Sequence, residues 1–162
     1  MPKSQLEFSD FFIEVPDSNK DFVSTIHELF TNDGYKLKLE PKPIGCMATY
    51  AHPKTKHSIL NFVFRKNGLY IRLYGANCTK YQDVLDSLPH SMIAQMQKAG
   101  DCPRLLGQDK CSPRCAMGYD FTIGDTRFQK CRIACFFLHV DDESMPFLLE
   151  MVRREKQERD PA

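Results

Sequence analysis

The chain has 162 residues, of which 42% are hydrophobic and 27% charged, and its formal net charge is +1. This composition is typical of a globular domain with a core of its own, and it excludes a disordered or collagen-like chain. No apolar run is long enough to span a bilayer, and the first residues lack the apolar segment of a secretory signal. The sequence therefore predicts a single domain over residues 1–162 in the cytoplasm, where thiols are kept reduced.

The charges are unevenly distributed along the sequence. Residues 1–34 have a charge balance of −5, residues 35–80 a balance of +8, and the remainder a balance of −2. The middle segment contains nine basic side chains and one acidic side chain, Glu40. This asymmetry predicts either a positive field on one part of the surface, or acidic and basic segments that pack together and neutralise each other.

The first third of the chain predicts a helix followed by strands. Ser18 is a candidate N-cap, and apolar residues at helical spacing predict a helix that ends by residue 34. The apolar segment 8–15 before it fits either a short strand or a further helical turn. Beyond the helix the pattern alternates, which predicts strands over 35–39 and 45–52.

The best-defined unit is a β-hairpin over residues 58–74. Two β-rich runs flank Asn67-Gly68, a dipeptide that favours a two-residue turn. This turn pairs Lys66 with Leu69 and so fixes the register of the remaining pairs. One face of the hairpin then collects apolar side chains and is predicted to lie on the core: Leu60, Phe62, Phe64, Leu69, Ile71 and Leu73.

The opposite face of the hairpin carries the candidate ligand-binding residues Arg65, Tyr70, Arg72 and Tyr74. If this face is open to solvent, it offers two guanidinium groups and two phenol rings, which suit an anionic or aromatic small molecule. A sheet that binds RNA uses similar side chains, although a pI of about 7.6 is low for a dedicated nucleic-acid binder. The alternative is that these side chains pair across a solvated sheet or lie beneath a helix.

The central part of the chain predicts a pair of helices and a loop. Periodic apolar residues indicate helices over 79–88 and 90–99. A cysteine-rich loop over 101–118 follows them. Its length is unusual for a loop without internal structure, so we expect something to stabilise it.

The last third predicts a second hairpin, a strand and a helix. The hairpin covers 119–130 and turns at Gly124-Asp125, and the apolar run 133–140 predicts a buried strand. The final helix begins at Ser144, with a short charged C-terminal tail from about residue 156. Together the elements predict an α+β fold with an antiparallel sheet of about five to seven strands, an N-terminal helix, a central helical pair and a C-terminal helix.

Five of the seven cysteines lie in and around the loop, and such clustering is typical of metal binding, disulfide bonding or thiol chemistry. The three-residue spacing between Cys111 and Cys115 is within the range that structural zinc sites use. In a strand, Cys131 and Cys135 would lie roughly 13 Å apart and would not bind one ion. We therefore expect a zinc site formed by Cys102, Cys111, Cys115 and Cys131, with Cys135 a buried apolar residue.

Several functions remain open at this point. The sequence shows no convincing set of catalytic residues, which favours a non-enzymatic binding protein with a zinc-stabilised cysteine loop. The cysteines also fit ordinary reduced core residues, or a thiol-dependent redox enzyme or sensor that uses Cys111 or Cys115. A nucleic-acid-binding module built on the basic segment 35–80 is a further alternative.

Overall fold

The computed structural model describes residues 5–108, 111–112 and 114–160. Over these residues the chain forms five α-helices, a five-stranded antiparallel sheet and a separate two-stranded hairpin. The predicted α+β fold is therefore confirmed, with its N-terminal helix, central helical pair and C-terminal helix. Among the helices of this described part, none has both the length and the apolar character needed to cross a membrane.

The helices and strands occur in blocks along the chain. The α-helices are α1 (Phe8–Phe12), α2 (Lys20–Thr31), α3 (Gln82–Asp86), α4 (His90–Lys98) and α5 (Met145–Arg159). The strands are β1 (Lys36–Pro41), β2 (Cys46–Ala51), β3 (Ser58–Arg65), β4 (Gly68–Leu73), β5 (Tyr119–Ile123), β6 (Thr126–Lys130) and β7 (Phe137–His139). Short 3-10 helices, Asp17–Asn19 and Cys78–Tyr81, precede α2 and α3.

The large sheet has the strand order β1-β2-β3-β4-β7, and every neighbouring pair is antiparallel. Side chains alternate between its two faces. The core face packs against α1 and α2, where the ring centroid of Phe62 lies 5.8 Å from that of Phe11 and 6.3 Å from that of Phe22. We call the opposite side of the sheet the open face, because many of its side chains are exposed or half-buried. They include Met47, Thr49, Arg65, Tyr70, Arg72 and Phe137.

The segment 8–15 is helical at its start. Glu7 and Asp10 cap α1 reciprocally, and the Glu7 N–H donates to the Asp10 carboxylate at 2.8 Å. This short helix buries Phe11 against the sheet. The next helix, α2, buries three of the four apolar side chains at the predicted helical spacing, Phe22, Ile26 and Phe30, while Leu29 is half-buried. It also buries Val23.

The β3–β4 hairpin has the predicted faces but a different register. All six predicted core side chains are buried. Arg65 pairs with Gly68, so the two-residue turn is Lys66-Asn67 rather than the predicted Asn67-Gly68. A shift of two residues returns every side chain to the same face, which is why the predicted faces are right although the predicted pairs are wrong.

The position of Gly68 explains the difference in register. A turn of type I′ at residues 67–68 needs a positive φ at both residues, whereas here the positive φ, +128°, lies at Gly68 and Asn67 has none. Gly68 also lies so close to the His139 side chain that an added Cβ would be 3.1 Å from His139 Nε2. The glycine is therefore needed inside the sheet, and the turn precedes it.

The second hairpin and the strand after it differ in how well the sequence predicts them. The β5–β6 turn is Gly124-Asp125, as predicted, and Gly124 has a φ of +59°. The strand predicted over 133–140 is shorter, because residues 132–136 form a turn and only β7 extends the sheet. This turn carries Cys131 and Cys135 at its ends.

The charged tail predicted from about residue 156 is instead the last turn of α5. Lys156 is only 8% exposed, and it forms salt bridges with Asp33 and Asp160. The prediction was wrong because one of these partners lies on the turn after α2, more than a hundred residues earlier, where sequence periodicity does not reveal it.

Candidate functional site

A row of aligned side chains crosses all five strands on the open face. Lys38 pairs with Thr49, Thr49 with Asn61, Asn61 with Arg72, and Arg72 with Phe137. The row contains cations on β1 and β4, hydrogen-bonding side chains on β2 and β3, and an aromatic ring on β7. Its members differ in burial, since Asn61 is buried and Lys38 is exposed.

Arg72 is held in place by the protein. Its Nε donates to the Ile133 carbonyl at 2.9 Å, and one terminal nitrogen donates to the Asn61 side-chain oxygen at 2.9 Å. Burial lowers the pKa of Arg72 from its ordinary value. Within the described residues its other terminal nitrogen has no hydrogen-bond partner. The guanidinium is therefore pre-oriented, with one edge available to a ligand.

Arg65 lies beside Arg72 but is exposed and is not held by hydrogen bonds to the described residues. Its guanidinium carbon is 5.2 Å from the ring centroid of Phe137, and that of Arg72 is 4.8 Å from the same centroid. Arg65 is exposed, and its side chain forms neither a hydrogen bond nor a salt bridge with any residue that the structure describes. Two cations thus converge on one aromatic ring: Arg72 is held by hydrogen bonds, and Arg65 is exposed.

Tyr70 completes the aromatic cluster. Its ring stacks on Phe137, with centroids 4.9 Å apart and planes inclined by 19°. The Asn67 amide donates to the Tyr70 hydroxyl at 2.8 Å, which fixes the ring from the turn side. His139, on the neighbouring strand, lies 5.1 Å from the Tyr70 ring.

A pocket of about 300 Å³ opens next to this cluster. Three cations stand around it: Lys42, Arg65 and Arg72. Apolar side chains form most of the remaining wall, including Ile44, Met47 and Val63. Within the described residues no carboxylate lines the pocket. Its chemistry suits an anionic group joined to an apolar or aromatic part.

The four predicted ligand-binding residues are not all together. Arg65, Tyr70 and Arg72 surround Phe137, whereas Tyr74 lies past the end of β4, where Arg132 stands over its ring at 5.3 Å. Sequence reasoning missed Phe137, which it assigned to a buried strand. The pairing of β7 with β4 exposes that ring, and no local signal in the sequence reveals this pairing.

Most cations of the basic segment 35–80 form no salt bridge with a carboxylate that the structure describes. Of its nine basic side chains, Lys38 and Lys80 form salt bridges with described residues. The other seven form none within the described part of the chain, and no salt bridge there joins this segment to the acidic segment 1–34. Within the described residues the two segments therefore do not neutralise each other through salt bridges, and the positive field stays a prediction.

The two ends of the cysteine-rich loop meet beside the second hairpin. The Cys102 N–H donates to the Gln129 carbonyl at 2.9 Å, and the Cys131 N–H donates to the Gly100 carbonyl at 2.8 Å. The chain entering the loop therefore lies beside the chain leaving β6. Two of the four predicted ligands are neighbours in the fold although they are far apart in sequence.

Cys102 has the most distinctive thiol environment of the loop. It is only 4% exposed, and the Gly118 N–H donates to its sulfur at 3.4 Å. Burial raises the pKa of this thiol, but backbone N–H groups of Leu105, Gly118 and Arg104, together with the Arg104 charge, outweigh burial. The pKa of Cys102 is therefore lower than its ordinary value, which favours the thiolate that binds metals.

The other predicted ligands are less enclosed. Cys111 is exposed and Cys115 half-buried, with the Cys115 carbonyl accepting a hydrogen bond from Arg104 at 2.7 Å. Pro113, between them, lies outside the described residues. Over the residues that are described, no three His, Cys, Asp or Glu side chains form a group that could hold a metal ion. The zinc site stays a prediction.

The spacing argument for Cys135 was wrong. The Cys135 N–H donates to the Cys131 carbonyl at 2.9 Å, so the two residues share a helical turn and are not in one strand. Residues four apart in a helical turn are neighbours, at roughly 6 Å between Cβ atoms. Cys135 is nevertheless fully buried, and burial raises its pKa. The direction of the pKa shift, rather than distance, distinguishes Cys135 from the candidate ligand Cys102.

Comparison with known proteins adds no functional information. No protein-family model matches this chain, and neither the curated proteins nor the solved structures give a match. The function must therefore be inferred from the chemistry of the open face and of the cysteine-rich loop.

Proposed function

We propose that this protein is a non-enzymatic binding protein that holds an anionic ligand on the open face of its sheet. The observation that carries the proposal is the pocket bounded by Lys42, Arg65 and Arg72, which has apolar walls and no carboxylate among its described lining residues. Unpaired cations beside apolar surface favour a ligand that has a phosphate or carboxylate group and an apolar or aromatic part.

The two arginines have complementary roles in this proposal. Arg72 is fixed by Asn61 and Ile133, so binding through its available edge costs little conformational entropy. Arg65 is exposed and closes onto the anion from the other side. Bidentate hydrogen bonds from guanidinium to phosphate or carboxylate are strong and directional. The pocket lining, which consists of Lys, Arg, Pro and apolar residues, suits binding better than acid–base or nucleophilic chemistry.

Binding of phenyl phosphate, inorganic phosphate and benzyl alcohol, measured by calorimetry, tests this proposal. We expect phenyl phosphate to bind more tightly than either of the others, because it has both the anionic and the aromatic part. Arg65→Ala should weaken it about tenfold or more, since hydrogen bonds to charged groups contribute about 1.5–3 kcal/mol. Arg153→Ala is the matched control, because Arg153 is exposed on α5 and does not belong to the lining of this pocket. Equal effects of the two substitutions would refute the proposal.

We also propose that Cys102, Cys111, Cys115 and Cys131 bind one zinc ion that stabilises the loop. The support is the approach of Cys102 to the segment of Cys131 and the low pKa of the Cys102 thiol. All seven cysteines are free in the structure, which suits a protein of the reducing cytoplasm. The thiol-dependent redox function at Cys111 or Cys115 remains the alternative use of the same residues.

Metal analysis of protein purified without added zinc separates these possibilities. We expect close to one zinc per chain, and a lower melting temperature after chelation, because the binding energy of a structural site is folding energy. Cys115→Ala should abolish metal binding, whereas Cys135→Ala should not. Metal-free protein in which the accessible thiols of Cys111, Cys115 and Cys131 all titrate rapidly would eliminate the site.

Thiol labelling at about pH 6, where an ordinary thiol is almost fully protonated, tests the redox alternative. A redox cysteine at position 111 or 115 should react rapidly with the probe in folded, metal-free protein. Uniformly slow labelling of both would remove this alternative.

A further inference from the structure

We infer that the ligand of the open face is single-stranded nucleic acid. This inference rests on the proposed anion-binding function and specifies the class of ligand. It starts from the extent of the open face, which is larger than a small ligand in the pocket would need. The polar and aromatic side chains continue well beyond the pocket, across every strand of the sheet.

The row on the open face has the dimensions of a nucleic-acid platform. It runs from Lys38 on β1 through Thr49, Asn61 and Arg72 to Phe137 on β7. With about 4.8 Å between strands, the row extends for about 19 Å. A ligand that fills the pocket of about 300 Å³ contacts only one part of it. Sheets that recognise RNA use such a width to hold two or three unpaired bases.

The charge of this face favours a polyanion. Two acidic side chains lie beside the row: Glu40, which forms a salt bridge with Lys38 at 3.1 Å, and Asp141, which contacts His139. The cations of the face and its pocket are more numerous, and three of them have no carboxylate partner among the described residues: Lys42, Arg65 and Arg72. Cations spaced along a groove follow a phosphate backbone, which is how proteins bind single strands.

The aromatic cluster supplies the stacking surface. Phe137 and Tyr70 are half-buried and lie at one end of the row. Arg65 and Arg72 both stand over the Phe137 ring, but Arg65 has no hydrogen-bond partner within the described residues, so a base that enters beside Arg72 can replace Arg65 there. The displaced guanidinium then reaches a phosphate. Stacking of this kind accepts every base, so we expect weak sequence preference.

Fluorescence anisotropy with a mixed-sequence RNA of about 12 nucleotides tests the inference. We expect this RNA to bind more tightly than a nucleoside monophosphate and more tightly than the duplex of the same sequence, whose bases are not available for stacking. Three or four phosphate contacts predict a slope of about −2 to −3 for log K against log salt concentration. The chain of 162 residues is used throughout.

Three substitutions locate the binding on the row. Phe137→Leu should weaken RNA binding about five- to hundredfold through lost stacking. Lys38→Ala should reduce the salt slope by about 0.7, the loss of one phosphate contact. Glu40→Gln should tighten binding, because it releases Lys38 from its salt bridge. Lys54→Ala is the control of equal charge, since Lys54 is exposed in the turn between β2 and β3.

The outcomes separate the nucleic-acid inference from the anion-binding function on which it rests. If the monophosphate binds at Arg65 and the RNA binds no more tightly, the nucleic-acid inference is wrong and the anion-binding proposal stands. The same holds if polyglutamate binds as well as RNA and Lys38→Ala and Lys54→Ala behave alike. If neither phenyl phosphate, the monophosphate nor RNA binds, both are wrong. Because Lys38 is exposed, its substitution remains informative even if Phe137→Leu destabilises the fold.

Discussion

Basic side chains occur in two regions of this protein with opposite surroundings. Beneath the C-terminal end of α5, Arg159 donates to Glu155, and Lys156 contacts Asp33 and Asp160. On the open face, Arg65 has no carboxylate partner within the described part of the chain. The first region uses its charges to hold distant segments together. The second leaves its charges available, which is what an anion-binding surface requires.

Glu155 is the centre of the first of these regions, which we call the paired region because Arg159 and Lys156 there have carboxylate partners. It is fully buried, and its carboxylate accepts hydrogen bonds from the Asn77 N–H at 3.0 Å, the Tyr81 hydroxyl at 2.9 Å and Arg159 Nε at 2.9 Å. Arg159 also donates to two backbone carbonyls at the ends of β3 and β4, at 3.0 Å and 2.6 Å. Through these contacts α5 is joined to the sheet and to the segment that precedes α3.

The largest expected effect comes from breaking this network. Glu155→Ala should reduce the free energy of unfolding by about 3–5 kcal/mol, because it leaves Arg159 without its charge partner and several donors without an acceptor. Chemical denaturation measures the loss. Glu150→Ala, at a half-buried position of the same helix whose carboxylate pairs with Arg154, is the control and should cost about 1 kcal/mol or less. A similar loss for both variants would show that the network contributes no special stability.

An intermediate effect is expected at Arg72, which belongs to the open face but is bonded to the protein. Arg72→Ala leaves the buried Asn61 oxygen without its donor, so we expect a loss of about 1–3 kcal/mol. Arg72→Ala combined with Asn61→Ala should cost less than the sum of the single substitutions, because the partner that would be left unsatisfied is absent. Strict additivity of the two losses would contradict this coupling.

The pH dependence of stability should follow Asp160 in the paired region. Burial raises the pKa of this carboxyl, but hydrogen bonds from Lys156 and Tyr35 and the Lys156 charge outweigh burial, so the pKa is below its ordinary value. The folded protein therefore binds a proton here less readily than the unfolded chain does. The resulting stability is present above the unfolded pKa of about 3.9 and is lost as pH falls through the folded pKa.

Asp160→Asn tests this dependence. At neutral pH the variant should be less stable than the natural chain by about 1 kcal/mol or less, because the ion pair is partly exposed to solvent. The difference should shrink as the pH falls below about 4. Asp125→Asn, at the exposed β5–β6 turn, should show no such trend. A difference that stays constant down to the acid transition would contradict the role of the Asp160 charge.

The sequence predicts the two regions unequally for physical reasons. Alternation with a period of two is local, so it identifies both faces of the β3–β4 hairpin, but it does not distinguish registers two residues apart. The pairing of β7 with β4 and the contact of Lys156 with Asp33 join distant segments. Such contacts depend on how the elements assemble. Consequently Arg65, Tyr70 and Arg72 were predicted, whereas Phe137 and the network around Glu155 were not.

The smallest effect on stability, with a large effect on binding, is expected at Arg65. Its side chain is exposed and forms no polar contact with the described residues, so Arg65→Ala should change the free energy of unfolding by about 0.5 kcal/mol or less. The same substitution should weaken phenyl phosphate binding about tenfold or more. Arg159→Ala should behave in the opposite way, with a large loss of stability, because its partner Glu155 is buried. The opposite result, in which Arg65→Ala destabilised the fold and left binding intact, would contradict the comparison. It would show that the open face does not reserve its cations for a ligand while the region under α5 uses its cations for stability.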